Sequence, residues 1–150
     1  MYKKIMVPLD GSELAECALP HLEVIALGCQ PTEVIIVQAV EPIAIPYGVE
    51  VAKLGSLEQV KEFETHHKVA AEKYQAKVIA RLAQAGIKAT GHVIFGKAGE
   101  ALTEFAEKNG IDLVIIATHG RSGLSRAAWG SVADRLLRSL HMPVLMVRAK

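Results

Sequence analysis

The chain has 150 residues and a formal net charge of +1, with 51% hydrophobic and 22% charged residues. This length fits one domain, residues 1–150, and the composition excludes an intrinsically disordered protein. A near-zero net charge disfavours a general nucleic-acid binder, which would carry an overall basic excess. No apolar run is long enough to span a bilayer, and the two cysteines, Cys17 and Cys29, match no redox or zinc spacing. We therefore expect a cytoplasmic protein in a reducing compartment.

The first third of the chain predicts two strands separated by a helix. Residues 3–9 form a mostly apolar run that ends at a turn signal, residues 10–12 (DGS). Ser12 is a suitable N-cap for a helix that Gly28 can end in the left-handed conformation. The nearly continuous apolar run 33–40 then indicates a strand that helices cover on both faces.

The middle of the chain predicts a long loop and the longest helix. Residues 41–55 contain prolines and glycines without a clear period, and loops of this length are often functional. Helical periodicity then runs over 57–85 and stops at Gly86. The side chains expected on its buried side are Phe63, Ala70, Tyr74, Val78 and Leu82.

The remaining sequence predicts three strands with helices between them. An alternating strand covers 87–95, a short helix follows, and a buried strand covers 112–117. A glycine-rich segment, 118–130, leads into a helix over 131–140 and a last strand over 144–148.

Strands that alternate with helices indicate an α/β fold with a parallel sheet between two helical layers. Right-handed crossovers leave few windings, and the common mononucleotide-binding strand order is 3-2-1-4-5. In that order the winding reverses between the first and fourth strands, and ligands bind at the carboxyl ends of strands at such a reversal. We therefore expect Asp10 and residues 118–120 to flank one crevice.

Residues 91–98 (GHVIFGKA) nearly match the P-loop pattern GxxxxGK[ST]. The match fails at its last position, because Ala98 has no hydroxyl for magnesium, and the residues between the glycines favour a strand. We interpret the segment as a strand that ends at Gly96, where the backbone turns tightly or a ligand comes close.

Residues 117–131 (ATHGRSGLSRAAWGS) are the stronger candidate site. They follow a buried strand and end at a helix start, where backbone N–H groups and the helix dipole favour an anion. Gly120 allows close backbone approach, Ser131 can add a hydroxyl, and Arg121 or Arg126 can reach a phosphate. The alternative is a surface loop with ordinary turn glycines.

Five segments carry a resemblance to a known family: 7–12 (VPLDGS), 93–96 (VIFG), 117–123 (ATHGRSG), 130–132 (GSV) and 143–147 (PVLMV). On these segments the chain resembles, over its whole length, the universal stress protein family. Some members of this family bind ATP and others do not. The resemblance implies a three-layer α/β/α, Rossmann-like fold of the adenine nucleotide alpha hydrolase-like type, with a five-stranded parallel sheet of order 3-2-1-4-5.

The ATP-binding pattern of that family is G-x2-G-x9-G-[ST]. Gly120 matches its second glycine, and Gly130 with Ser131 completes it after nine residues. Ala117 replaces the first glycine, but its methyl group adds little volume, so that phosphate can still approach the strand end. The resemblance therefore implies ATP, with or without Mg²⁺, as the ligand.

The resemblance also implies a role for each matching position. Asp10 would contact the adenosine end of the ligand, Pro8 would line that wall, and Ala39 would lie beside the adenine. The residues that would surround the phosphates, together with the strand end at Ala117, are Gly120, Arg121, Gly130, Ser131 and Val132.

Asp10 and His119 have other interpretations. A carboxylate such as Asp10 should face a ribose hydroxyl, an adenine amine or a metal, and its alternative role is to cap the first helix or its turn. His119 invites a catalytic role, because an imidazole titrates near neutrality. No nucleophile or orienting carboxylate lies near it in sequence, so we expect packing. The remaining histidines show no ligand spacing, and no metal site is expected.

The charge and the last strand bear on partners. Residues 118–150 carry six basic side chains and one acidic side chain, so a near-neutral protein can still hold an anionic ligand there. Nucleic acid is not expected, because no aromatic residues interleave with the basic ones.

Residues 144–148 form a long apolar sheet edge, which is a pairing surface. The resemblance implies an antiparallel homodimer through this strand.

These observations predict a universal stress protein that binds ATP and acts as a regulatory or protective dimer in the stress response. No combination of nucleophile, base and oxyanion donors is visible, so we do not predict an enzyme, although weak ATP hydrolysis or autophosphorylation stays open. One alternative is a family member that does not bind ATP. The other is an α/β nucleotide-processing enzyme such as a nucleotidyl transferase, which would need a metal-binding or phosphate-activating cluster beyond Asp10.

Overall fold

A computed structural model describes residues 1–31, 33–42, 57–118 and 130–149. The elements in these ranges are, in chain order, β1 (Lys4–Pro8), α1 (Glu13–Glu16), α2 (Leu19–Cys29), β2 (Glu33–Val40), α3 (Leu57–Gln84), β3 (Ala89–Phe95), α4 (Ala98–Lys108), β4 (Leu113–Thr118), α5 (Ser131–Ser139) and β5 (Val144–Arg148). No described helix is long and apolar enough to cross a membrane.

The strands form one parallel sheet in the order β3-β2-β1-β4-β5. This confirms the predicted strand order. Lys4 to Pro8 of β1 pair in register with Glu33 to Val37 of β2, and the other edge of β1 pairs with β4. The winding reverses between β1 and β4, so that the connections after these two strands diverge and leave a gap above their carboxyl ends.

Each face of the sheet carries its own apolar core. Ile5 of β1 packs in the core beneath α2 and α3, where Leu22 and Leu82 are fully buried. The next residue, Met6, points the other way and packs in the core beneath α4 and α5 with Leu136. Successive strand residues therefore serve opposite helical layers, which is why the strands are apolar along their whole length.

The first predicted helix is in fact two helices. Ser12 caps α1 as predicted, with its hydroxyl accepting a backbone hydrogen bond at 3.1 Å. Pro20 lies in the first turn of α2 and has no N–H to donate to the carbonyl of Glu16, so one unbroken helix cannot form. The predicted stop at Gly28 is also wrong, because α2 ends one residue later with Gln30 in the left-handed conformation at φ 49°.

The longest helix, α3, is buried only in its second half. Val78 and Leu82 are buried and Tyr74 is half-buried, as predicted, whereas Phe63 and Ala70 are exposed. The reason is length. A helix of 28 residues extends about 42 Å, whereas β2 and β3, with eight and seven residues, extend only about 23–27 Å.

Candidate functional site

A crevice opens at the carboxyl ends of β1 and β4, where the sheet topology predicts it. Its volume is about 220 Å³. The ends of β1, β2 and β4 line it from below, and residues of α1 and of the first turns of α4 and α5 line its sides, together with Leu102 one turn further along α4. The strand ends are apolar, whereas the helix starts present backbone N–H groups.

All the predicted site residues within the described ranges line this one crevice. They are Pro8, Asp10, Ala39, Ala117, Gly130, Ser131 and Val132. Gly120 and Arg121 lie outside the described residues, as do His119 and Arg126. The sheet order therefore brings together residues from distant parts of the sequence. Their binding roles stay predictions.

The start of α5 presents backbone donors to the crevice. Its N-cap is Gly130, at φ 83°, and no side chain of the described residues caps it. The first hydrogen bond of the helix runs from the N–H of Asp134 to the carbonyl of Gly130, at 2.9 Å. The N–H groups of Ser131, Val132 and Ala133 therefore have no acceptor within the helix, and the helix dipole adds positive potential there. Such a helix start suits an anionic ligand.

Asp10 holds the turn that follows β1. Its Oδ1 accepts hydrogen bonds from the backbone N–H and the hydroxyl of Ser12, at 2.9 and 2.5 Å. The alternative role in the turn is therefore confirmed. No hydrogen bond reaches Oδ2 from any described residue, so that oxygen can accept one from a ligand hydroxyl or amine.

Asp10 gives one end of the crevice a carboxylate, whereas the nearby Glu16 does not line the crevice and lies 3.8 Å from the guanidinium of Arg81. Tyr74 of α3 donates a hydrogen bond to Oε1 of Glu16 at 3.0 Å. Burial raises the pKa of Tyr74 well above its ordinary value of 10, and the hydrogen bond to Glu16 and the charges of Glu16 and Asp10 raise it further. The crevice therefore has an acidic end at Asp10 and an electropositive end at α5, and a phosphate is favoured at the α5 end.

The near P-loop segment also reaches the crevice, although not as a P-loop. Its residues form β3, and the backbone turns at Gly96 with φ 136°. Ala98, the first residue of α4, then lines the crevice. Its N–H already has an acceptor, because Oε1 of Glu41 lies 3.3 Å away. The interpretation as a strand with a tight turn is therefore confirmed.

Sequence reasoning missed the apolar part of the lining. Val37 lies two residues before Ala39 on the same face of β2, and Leu102 lies one turn after Ala98 on α4. Together with Ile116 of β4, these side chains give the crevice an apolar wall. The periods of a strand and a helix could have identified them, since each continues the face of a neighbouring lining residue.

The family model described as the universal stress protein family matches residues 1–148. Universal stress protein MJ0531 of Methanocaldococcus jannaschii is 34% identical, and the match covers 99% of this chain and 83% of the relative. Universal stress protein G of Shigella flexneri is 30% identical, with 99% of this chain and all of the relative covered.

Solved structures share the fold. Protein MJ0577, whose structure is solved, is 28% identical in sequence, with a TM-score of 0.78. The match covers all of this chain and 98% of the MJ0577 chain. A universal stress protein from Arabidopsis thaliana, described with AMP bound, has 13% identity and a TM-score of 0.67. The match covers 99% of this chain and 92% of that one. A universal stress protein from Archaeoglobus fulgidus, in complex with dAMP, has 17% identity and a TM-score of 0.65. The match covers 97% of this chain and 98% of that one. A further universal stress protein is described in complex with cAMP, at 21% identity and a TM-score of 0.67, with 97% and 96% covered.

Proposed function

The chain belongs to the universal stress protein family, and from this premise we propose that its crevice binds an adenine nucleotide, with ATP as the ligand. The start of α5 carries the proposal. Three consecutive backbone N–H groups without an acceptor in the helix line the same crevice as an apolar wall and a carboxylate. A nucleotide supplies a matching part for each of these three features.

The polarity of the crevice sets the orientation of the nucleotide. The phosphates would accept hydrogen bonds from the N–H groups of Ser131 and Val132, at the electropositive start of α5. The adenine would pack against the apolar wall near Ala39, and a ribose hydroxyl or an adenine amine would donate to Asp10. The reverse orientation would place phosphate beside the carboxylate of Asp10, which repels it.

Two observations support an adenine nucleotide, one for its adenosine part and one for its phosphates. Neighbours with the same fold are described with AMP, dAMP and cAMP, and the adenosine part is common to these ligands. In the sequence, Arg121 and Arg126 stand between β4 and α5, and these positive charges would favour ATP, which carries more negative charge than AMP. Mg²⁺ would arrive with the phosphates, because the described residues hold no group of three or more metal-ligating side chains.

The role that fits this site is binding that regulates or protects, rather than turnover. The described residues of the crevice offer donors, an apolar wall and one carboxylate, and these features hold a ligand without activating a nucleophile. We place the protein in the cytoplasm, as the composition predicts.

A homodimer through β5 completes the proposal. β5 is an edge strand of the sheet, and its Val144, Leu145 and Met146 are only half-buried in one copy. Pairing with β5 of a second copy would cover these apolar side chains and satisfy the backbone groups of the edge. Sedimentation that shows only a monomer at micromolar concentration would contradict it.

Two variants of Ser131 test the phosphate site. Ser131→Pro removes the N–H of the first helical position, where proline fits a helix start, and Ser131→Ala removes the hydroxyl alone. A hydrogen bond to a charged group contributes about 1.5–3 kcal/mol, so Ser131→Pro should weaken ATP binding roughly 10- to 150-fold in equilibrium dialysis. Ser131→Ala should weaken it less. Equal affinity of Ser131→Pro and the unchanged protein would overturn the site.

A further inference from the structure

Helix α5 and the N-cap of α4 carry three basic side chains, and two of them already have an acidic partner. Nζ of Lys97, the N-cap of α4, lies 3.7 Å from Oε1 of Glu100. On α5, Nε of Arg138 donates to both carboxylate oxygens of Asp134, at 3.0 and 2.9 Å. Arg135 makes no hydrogen bond or ion pair with any residue that the structure describes. Its guanidinium can therefore bind a ligand anion without first giving up one of these acceptors.

Arg135 lies one turn beyond residues that line the crevice. It follows Ser131 by four positions and Val132 by three, so that it shares their side of α5. Both of these residues line the crevice. Side chains on a helix lean toward its N-terminus, and the long arginine side chain can cover the rise of roughly 6 Å over four helical residues. An anion at the start of α5 is therefore within reach of Arg135.

Helix α4 restricts the path of this side chain. A β-carbon on Gly99 would lie 2.9 Å from Cγ and 3.0 Å from Cβ of Arg135, so the arginine stem occupies space that only glycine leaves free. The same β-carbon position is 4.0 Å from Cα of Val132, and Gly99 directly follows Ala98, which lines the crevice. The stem of Arg135 therefore lies between the two helix starts, beside the crevice.

The backbone donors of α5 can serve only part of a nucleotide with several phosphates. The N–H groups of Ser131, Val132 and Ala133 have no acceptor within the helix. Together they suit the oxygens of one phosphate group, whereas ATP carries two further phosphates. A guanidinium group binds phosphate through two parallel hydrogen bonds and keeps its charge at any physiological pH. Arg135 therefore supplies the kind of donor that the further phosphates need.

We propose that Arg135 binds the phosphates of ATP that extend beyond the N–H groups of α5, and that it thereby favours ATP over AMP. This role rests on the proposed nucleotide site and selects the ligand within it. AMP has a single phosphate, which the N–H groups hold, so it gains little from the guanidinium. The nearby carboxylate of Asp134 does not oppose this role, because Arg138 neutralises it.

Calorimetric titration with ATP, AMP, adenosine and inorganic tripolyphosphate tests this role. Arg135→Gln removes the charge, and Arg135→Lys keeps it without the two parallel donors. Arg135→Gln should weaken the binding of ATP and of tripolyphosphate roughly tenfold, the lower end for a hydrogen bond to a charged group, because the side chain is exposed to solvent. Arg135→Lys should recover part of this loss. AMP and adenosine should bind both variants almost as tightly as the unchanged protein.

Lys108→Gln is the matched control. It removes one exposed positive charge at the last residue of α4, away from the crevice, and should change ATP affinity less than about twofold. Equal ATP affinity in Arg135→Gln and the unchanged protein would overturn the role of Arg135. An equal loss for adenosine would also overturn it, because adenosine has no phosphate to lose.

Tripolyphosphate separates this role from the nucleotide site on which it rests. If the unchanged protein binds tripolyphosphate, Arg135→Gln weakens that binding and ATP does not bind, the nucleotide site is wrong and Arg135 is still a polyphosphate ligand. Binding of neither anion would overturn both proposals.

Gly99→Ala tests the path of the side chain. Its added methyl group would take the space of the Arg135 stem and displace the guanidinium. Gly99→Ala should therefore weaken ATP binding in the unchanged protein and have little further effect when it is combined with Arg135→Gln. An equal loss in both backgrounds would mean that Gly99 does not act through Arg135 and would overturn this path.

Discussion

Helices α4 and α5 both begin at the crevice, but of their first-turn residues that line it, only those of α5 have backbone N–H groups without an acceptor among the described residues. Both starts follow a strand and a glycine at positive φ, Gly96 before α4 and Gly130 before α5. At α4 the carboxylate of Glu41 accepts a hydrogen bond from the first N–H, whereas at α5 no side chain in the described part of the chain caps the helix. A glycine turn before a helix is therefore not by itself an anion site. The difference lies in whether the chain supplies its own acceptor.

The two starts also contact each other. A β-carbon on Gly99, in the first turn of α4, would come within 2.9 Å of Cγ of Arg135 in α5. Such a distance is closer than van der Waals contact, so glycine is needed there for the two helices to approach. The two helices therefore pack closely beside the crevice, and a ligand anion is favoured at α5, where the first-turn N–H groups have no acceptor in the helix.

The largest effect is expected from a side chain at Gly130, the N-cap of α5. Gly130→Val should lower ATP affinity at least about 100-fold in calorimetry, because the side chain would fill the proposed phosphate position and disturb N–H groups that each contribute about 1.5–3 kcal/mol to binding a charged group. Gly86→Val is the matched control. Gly86 also has a positive φ, of 79°, with open space around its β-carbon, and it does not line the crevice.

Both glycine variants should lose about 1–3 kcal/mol of stability from backbone strain. Only Gly130→Val should lose ATP binding. If Gly86→Val loses as much affinity, the effect arises from general destabilisation and not from the open start of α5.

A smaller effect is expected at the start of α4, where Glu41 accepts the hydrogen bond of the first N–H. Glu41→Gln keeps an acceptor at the start of α4, and Glu41→Ala removes it, leaving the N–H of Ala98 uncapped. Loss of an N-cap costs about 0.5–2 kcal/mol, so urea denaturation should show Glu41→Ala less stable than Glu41→Gln. ATP affinity should change less than in Ser131→Pro. A larger loss of affinity in Glu41→Ala would mean that α4, and not α5, holds the phosphates.

The smallest effect concerns the acidic end of the crevice and appears only at high pH. The pKa of Tyr74 is raised in the folded protein above its unfolded value of 10. The folded state therefore keeps the phenolic proton when the unfolded state loses it, and stability should fall as the pH rises above 10.

Tyr74→Phe removes this titration. Its free energy of unfolding, measured by urea denaturation, should depend less on pH above 10 than that of the unchanged protein. Identical pH dependence in the two proteins would show that Tyr74 is not held protonated by burial and by Glu16.

The strands and the start of α5 were predictable from local patterns, and the strand order followed from the alternation of strands with helices and the winding common to such folds. Apolar runs mark the strands, and Gly130 with Ser131 marks a helix start after one of them. The break before Pro20 also follows from local chemistry and could have been predicted. The exposure of Phe63 could not, since helical periodicity does not reveal where the sheet ends. The hydrogen bond from Ala98 to Glu41 joins residues 57 positions apart, and no pattern in the sequence indicates it.

The central claim is that the open start of α5 makes this crevice a nucleotide site. Calorimetric titration of ATP into the nucleotide-free protein tests it most directly. The account predicts saturable heat with one ATP per chain, and competition by AMP for the same site. No heat at millimolar ATP would contradict the account.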